Sequence, residues 1–79
     1  MNPLTAGRLL RILLRDLGWS QLDLAKMIRR PAQAVNEICQ DKKRITATTA
    51  VALARALGTS PMLWLLLDAE NELSKREGP

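Results

Sequence analysis

A short segment near the middle of the chain carries side chains that can read the edges of nucleic-acid bases. Its predicted outward face holds Ala32, Gln33, Asn36 and Glu37. A Gln or Asn amide can form paired hydrogen bonds with adenine, a Glu carboxylate can accept from the cytosine amino group, and a small Ala can meet a thymine methyl group. These residue types predict base contacts, although polarity alone also fits an ordinary solvated helix face.

Side chains suited to binding phosphate flank this segment on both sides. Gln21 stands at the amino end of the preceding helix, where backbone N–H groups and the helix dipole favour a phosphate. Arg30 lies in the turn before the segment, and Lys42, Lys43 and Arg44 follow it. A charge run by itself is usually a solvated loop. Next to a candidate recognition helix, it favours contact with the DNA backbone.

The distribution of charge favours a polyanionic partner for the first two-thirds of the chain. Of the 79 residues, positions 1–55 contain ten basic and four acidic side chains, a balance of +6. Positions 56–79 contain two basic and four acidic side chains, a balance of −2. Double-stranded DNA would therefore meet the first part of the molecule and leave the last part free for another contact.

Hydrophobic periodicity and helix-start signals predict five helices, which makes the fold class all-α. The predicted helices cover about 3–17, 20–28, 31–39, 46–57 and 60–76. A single domain is expected over 1–79, because a chain of this length has no room for a second. The segment over about 20–39 joins two helices through a short turn. That is the pattern of a helix-turn-helix, whose second helix enters the DNA major groove.

Local signals predict where these helices begin, end and pack. Ser20 is the predicted cap of the second helix, with Asp23 as its reciprocal partner. Pro31 is expected at the first position of the third helix. The first helix is predicted to bury a leucine stripe that extends to Leu17, and Gly18 is its predicted end.

The apolar run from Met62 to Leu67 exceeds what one buried helix face needs. Leu63, Trp64 and Leu67 form its predicted core stripe. Met62 and Leu66 then have no obvious use within the chain, and a small protein rarely leaves such a patch in water. We therefore predict that this surface, on the helix over about 60–76, contacts a second copy or a protein partner. Plain core packing is the alternative.

Composition argues against several classes of function. The chain has no His and only one Cys, Cys39. It therefore lacks the usual ligands for a metal site, the usual groups for acid–base or nucleophilic catalysis, and an intrachain disulfide. The longest apolar run is too short for a membrane span, and no signal-peptide pattern is visible. We expect a cytoplasmic protein that is not an enzyme and that uses no cofactor, no metal and no membrane.

Two series of residues resemble a known family. The first is Gln21-x-x-Leu24-Ala25 followed by Val35-Asn36-x-Ile38, which is similar to the core signature of the Xre/Cro helix-turn-helix family, the phage-repressor or lambda-repressor-like type. The second is Ile45-Thr46-x-x-Thr49-Ala50, Leu53-Ala54-x-Ala56-Leu57-Gly58-Thr59-Ser60-Pro61 and Trp64, which resembles the HigA-type antitoxin branch of that family. The resemblance covers about residues 4 to 73.

This resemblance implies a five-helix bundle that forms a homodimer and represses its own operon. A dimer on a palindromic operator would place its two recognition helices about 34 Å apart. The resemblance also implies a partner, a small ribonuclease toxin of the RelE-like HigB class. By position, the base-reading role is carried over to Ala32, Gln33, Asn36 and Glu37. The phosphate role is carried over to Gln21, Lys42, Lys43 and Arg44.

Two positions depart from the family pattern. Arg29 stands where the turn usually has Gly, a position that often needs left-handed backbone geometry. Pro31 stands where Ser or Thr is usual. Both changes affect the angle of the third helix and not its existence. Two alternative functions stay open: a stand-alone Xre-type regulator without a toxin, and a protein-interaction module that has lost DNA binding.

Overall fold

A computed structural model describes residues 4–77 of the chain. They form five helices: α1 (Ala6–Leu17), α2 (Gln21–Ile28), α3 (Ala32–Cys39), α4 (Ala47–Leu57) and α5 (Pro61–Glu77). No strand occurs within this part of the chain, and the all-α prediction is confirmed. The predicted start of the first helix at Pro3 lies outside the described residues.

Side-chain caps explain where the helices begin. The Ser20 hydroxyl accepts from the backbone N–H of Asp23 at 3.0 Å, and the Asp23 carboxylate accepts from the N–H of Ser20 at 2.8 Å. This is the reciprocal cap that the sequence predicts for α2. The hydrogen bond from the Ser20 N–H holds the pKa of Asp23 below its ordinary value. Thr5 and Thr46 cap α1 and α4 in the simpler one-bond manner.

The buried core lies between all five helices, and its largest side chain is Trp64 of α5. The Trp64 indole is fully buried, and its Nε1 donates to the Thr59 hydroxyl at 2.8 Å. A buried indole N–H needs such an acceptor, because an unpaired polar group inside the core is costly. α4 and α5 pack on each other around this side chain, and α2 packs on α3.

Two core predictions were wrong. Leu17 is 47% exposed because it is the last residue of α1, and the chain turns away at Gly18, which has a left-handed φ of 72°. Leu63 is exposed because it lies about 100° around the helix from Trp64 on the side that faces away from the core, whereas Leu65 lies on the other side of Trp64. Leu65 packs against the core instead.

A close contact joins the start of α1 to the end of α3. A side chain at Gly7 would place its Cβ only 2.6 Å from the backbone oxygen of Cys39 and 2.7 Å from that of Ile38, so only glycine fits there. Asp41 accepts from the Gly7 N–H at 3.0 Å and from the Thr5 hydroxyl at 2.6 Å. These contacts anchor the carboxyl end of α3 to a second helix, which limits how α3 can tilt.

Cys39 at the end of α3 is buried. Burial raises the pKa of its thiol, so the group stays protonated and apolar at neutral pH. None of the described helices is long and apolar enough to cross a membrane.

Candidate nucleic-acid interface

The turn between α2 and α3 depends on an unusual backbone at Arg29. This residue ends α2 in the left-handed region, with φ 58° and ψ 46°, and the N–H of Arg30 donates back to the carbonyl of Ala25 at 3.0 Å. Left-handed geometry is the normal signal for ending a helix, but it is favourable for glycine and strained for a side chain with a Cβ. Arg29 therefore adopts the left-handed geometry that the glycine usual at this position would favour.

The strain at Arg29 leads to a stability prediction. Arg29→Gly should be about 1 kcal/mol more stable than Arg29→Ala, because both remove the charge and only glycine relieves the left-handed strain. Urea unfolding followed by circular dichroism measures the difference. Equal midpoints for the two variants would show that the backbone at this position is not strained.

Pro31 lies one position earlier than the sequence predicts. It is the residue before α3, with an extended ψ of 146°, and not the first helical residue. Its carbonyl accepts from the N–H groups of Ala34 and Val35, at 3.0 and 3.3 Å. A proline side chain has no acceptor, so α3 begins without the side-chain cap that α2 has.

The two faces of α3 are chemically distinct. Val35, Ile38 and Cys39 are buried, and this face packs on α1 and α2. The opposite face holds three exposed residues and one half-buried residue, which are Ala32, Gln33, Asn36 and Glu37. The structure therefore brings the four predicted base-reading residues together on one accessible surface. Their role in base contact stays a prediction.

A hydrogen-bonded chain orders part of this surface. Asn36 Nδ2 donates to Gln21 Oε1 at 3.1 Å, and Gln40 Nε2 donates to Asn36 Oδ1 at 2.9 Å. Asn36 keeps one free N–H and one lone pair for an outside partner, while its orientation is fixed by its neighbours. By contrast, the Gln33 side chain makes no hydrogen bond within residues 4–77, so its whole amide edge is available.

The network includes one residue that the sequence interpretation did not place at the site. This residue is Gln40, which follows the last residue of α3. Residues 36 and 40 are neighbours on a helix surface, so the i, i+4 spacing was a usable signal. The pairing of Gln21 with Asn36 had no such signal, because it depends on how α2 crosses α3.

The predicted phosphate contacts are in different local environments. Lys42 and Lys43 are exposed in the loop before α4, and Arg30 is half-buried in the turn. Arg44 is paired with acidic side chains of α5. Its Nε donates to Asp68 Oδ2 at 2.9 Å, and its Nη1 lies 3.8 Å from Glu72 Oε2. The hydrogen bond to Asp68 raises the pKa of Arg44, so it stays charged at any physiological pH. Phosphate contact by these residues stays a prediction.

Asp68 is an acidic residue to which the sequence analysis gave no role. It is only 9% exposed, and its second oxygen accepts from the N–H of Ile45 at 3.0 Å. Its i, i+4 spacing from Trp64 places it on the inward face of α5, a signal that the sequence analysis did not use. Its ion pair with Arg44, 24 residues earlier in the chain, offsets the cost of removing the carboxylate from water.

The predicted partner surface on α5 is exposed. Met62 is 57% exposed and Leu66 is 55% exposed, so neither is used in core packing. Contact with a second copy or a toxin stays a prediction. Among the described residues, no group of three or more Cys, Asp or Glu side chains is placed to hold a metal ion.

Comparisons with known proteins agree with this geometry. Residues 10–64 match the family described as Helix-turn-helix. Virulence-associated protein I of Dichelobacter nodosus is 32% identical over 98% of this chain and 72% of its own length. The Pseudomonas aeruginosa antitoxin HigA, solved with the higBA promoter, superposes with a TM-score of 0.87 at 30% identity, over 95% of this chain and 83% of that chain.

A third relative has nearly the same length as this chain. An addiction module antidote protein of a HigA family from Coxiella burnetii gives a TM-score of 0.75 at 29% identity, over 100% of this chain and 98% of that chain. The family match covers more than half of the sequence and includes α2, the turn and α3. The chain therefore belongs to the helix-turn-helix family, in its HigA-type Xre branch.

Proposed function

We propose that this protein is a sequence-specific DNA-binding repressor, the antitoxin of a HigBA-like toxin–antitoxin module, and that it represses its own operon. The observation that carries the proposal is the polar outer face of α3, held in place by the hydrogen bond between Gln21 and Asn36. The similar HigA protein of Pseudomonas aeruginosa was solved with its own promoter, which supports the same use of the fold here.

In this proposal α3 lies in the major groove of B-DNA, which is wide enough for one helix. Gln33 forms a paired contact with an adenine, Glu37 accepts from a cytosine amino group, and Ala32 meets a thymine methyl. The start of α2 points its free N–H groups at a phosphate next to Gln21. Lys42, Lys43 and, with its outer N–H groups, Arg44 bind the adjacent backbone. No step of this recognition needs a cofactor, a metal or a catalytic group.

The proposed binding unit is a homodimer on a palindromic operator. Its two copies of α3 would lie about 34 Å apart, one turn of the duplex. The exposed apolar side chains of Met62 and Leu66 are proposed to form the contact with the second copy or with the toxin. We propose a cytoplasmic location, where the operon is accessible.

A base-contact test follows from the free amide of Gln33. Gln33→Ala should weaken operator binding by about 1–3 kcal/mol and relax the preference at one base pair, because a paired contact is lost.

Lys43→Ala should weaken binding to every duplex alike and flatten the dependence of log Kd on log salt, because a phosphate contact is lost. Fluorescence anisotropy with operator and random duplexes, each over a salt series, measures both effects.

The two variants control for each other. Equal loss on operator and random duplex after Gln33→Ala would remove Gln33 from base recognition. Failure of the unaltered protein to bind its own upstream region, even at low salt, would contradict the DNA-binding function as a whole.

The toxin partner requires its own test. An antitoxin is expected beside a gene for a small ribonuclease, and the two products should co-purify from the native host. Recovery of the repressor with operator DNA but without a second small protein would favour a stand-alone regulator.

A further inference from the structure

One face of α5 forms hydrogen bonds and ion pairs with the loop between α3 and α4. Asp68, Glu72 and Lys75 have the i, i+4, i+7 spacing of a single helix face. Asp68 binds Arg44 and the N–H of Ile45, Glu72 lies within ion-pair distance of Arg44, and Lys75 Nζ donates to the carbonyl of Asp41 at 3.3 Å. The loop is thus attached to a helix that does not itself belong to the helix-turn-helix.

The loop is held at both of its ends. At one end, the Asp41 side chain caps the start of α1 while its carbonyl accepts from Lys75. At the other end, both oxygens of Asp68 are occupied, one by the Arg44 side chain and one by the Ile45 backbone. Lys42 and Lys43 lie between these two anchors, and neither forms an ion pair within residues 4–77.

The position of Asp68 is difficult to explain by stability alone. A buried carboxylate loses much of its hydration, and a buried ion pair is often no more stabilising than apolar residues of the same volume. Arg44, its partner, has a side chain that is 60% exposed, so the outer part of the guanidinium still faces solvent. The pair therefore fixes a cation at the surface, next in the chain to two exposed lysines.

We propose that Asp68 is a positioning residue for DNA binding: it holds Arg44 and the backbone of Ile45 so that the loop over 42–44 presents its cations to the phosphate backbone in one conformation. The inference rests on the proposed DNA-binding function and deepens it. Without Asp68 the same charges remain on the chain, but they must be ordered at the moment of binding, which lowers affinity.

Asp68→Asn tests the proposal, because the loss of positioning should weaken DNA binding, whereas the loss of one negative charge should strengthen it. Asp68→Asn removes one negative charge, which by itself makes the protein a better ligand for a polyanion. Positioning predicts the reverse, because an Asn amide cannot pair with both Arg44 and the Ile45 N–H. We expect binding about three- to tenfold weaker than in the unaltered protein. Glu70→Gln is the matched control: it removes one negative charge from an exposed position on the same helix.

Binding is measured by anisotropy on operator and random duplexes, well below each variant's Tm, so that unfolding does not contribute. We expect Asp68→Asn to lose affinity on both duplexes by the same factor and Glu70→Gln to bind at least as tightly as the unaltered protein. A double-mutant cycle of Asp68→Asn with Lys43→Ala separates positioning from general stability. In the Lys43→Ala background the loss from Asp68→Asn should shrink, because one of the positioned cations is gone.

The outcomes are distinct. Asp68→Asn binding as tightly as Glu70→Gln, or full additivity in the cycle, would overturn the inference while leaving the DNA-binding function in place. Absence of binding by the unaltered protein would overturn the proposed function and the inference with it. A lower Tm of Asp68→Asn with unchanged affinity would assign Asp68 to stability alone, which also overturns the inference.

Discussion

Trp64→Ala should leave a large fraction of the molecules unfolded at 25 °C. Replacing a fully buried Trp by Ala costs about 3–5 kcal/mol, since the transfer energy of the indole is lost and a cavity remains. A core in a domain of this size supplies only about 3–5 kcal/mol of net stability. Trp64 is completely buried between α5 and the rest of the core, so its truncation leaves a cavity that the neighbouring side chains fill only in part. Far-UV circular dichroism and urea unfolding measure the loss.

Trp64→Phe is the matched control for this change. It keeps an aromatic ring in the cavity and removes the N–H that Thr59 accepts. We expect a loss of about 1–2 kcal/mol and a cooperative transition. A Trp64→Ala protein with native ellipticity and an unchanged urea midpoint would show that the indole is not the centre of the core.

Leu66→Asp should weaken operator binding by about 10²-fold or more while leaving the fold intact. Leu66 is 55% exposed, so the substitution removes little core packing. If the α5 surface joins two copies, a buried carboxylate would separate them, and each monomer would then engage one half-site alone. A dimer that binds two linked half-sites commonly has an affinity about 10²–10⁴ times that of a monomer on one half-site. Separation of the two copies should therefore lower operator affinity by roughly this factor. Analytical ultracentrifugation and anisotropy on a full operator measure the two effects together.

Leu17→Asp controls for the added charge. Leu17 is exposed to a similar degree but lies at the end of α1, so it repeats the electrostatic change away from α5. Its mass in solution and its operator affinity should stay close to those of the unaltered protein. A Leu66→Asp protein that remains a dimer of unchanged mass would exclude Leu66 from the interface between copies.

The helices themselves were predictable because their signals are local. Ser20 and Asp23 lie three residues apart and cap α2 by contacts that depend only on the nearby backbone. Gly18 likewise ends α1 because it can adopt left-handed geometry without strain. The split of α3 into a buried and a polar face also follows from helical spacing. These signals were sufficient to find the helix-turn-helix and to group the candidate base contacts.

The contacts that organise the site were not predictable from spacing, because they join distant parts of the chain. Asp68 meets Arg44 across 24 residues, and Asp41 meets Gly7 across 34. Each depends on how a helix packs against the loop between α3 and α4, and no periodicity in the sequence encodes that packing. The same limit explains why Arg44 was grouped with the two lysines before it, although α5 binds it and not them.

Asp41 has a practical consequence for experiments on this protein. It contacts Thr5 near one end of the described chain and Lys75 near the other, so both ends lie beside the loop that carries Lys42 and Lys43. An affinity tag or fluorescent fusion joined to the chain close to Thr5 or close to Lys75 would therefore lie near the proposed phosphate contacts. A basic tag there would add spurious attraction to any duplex, and a bulky fusion would block it. Tags joined at these positions should therefore be cleavable and removed before titration.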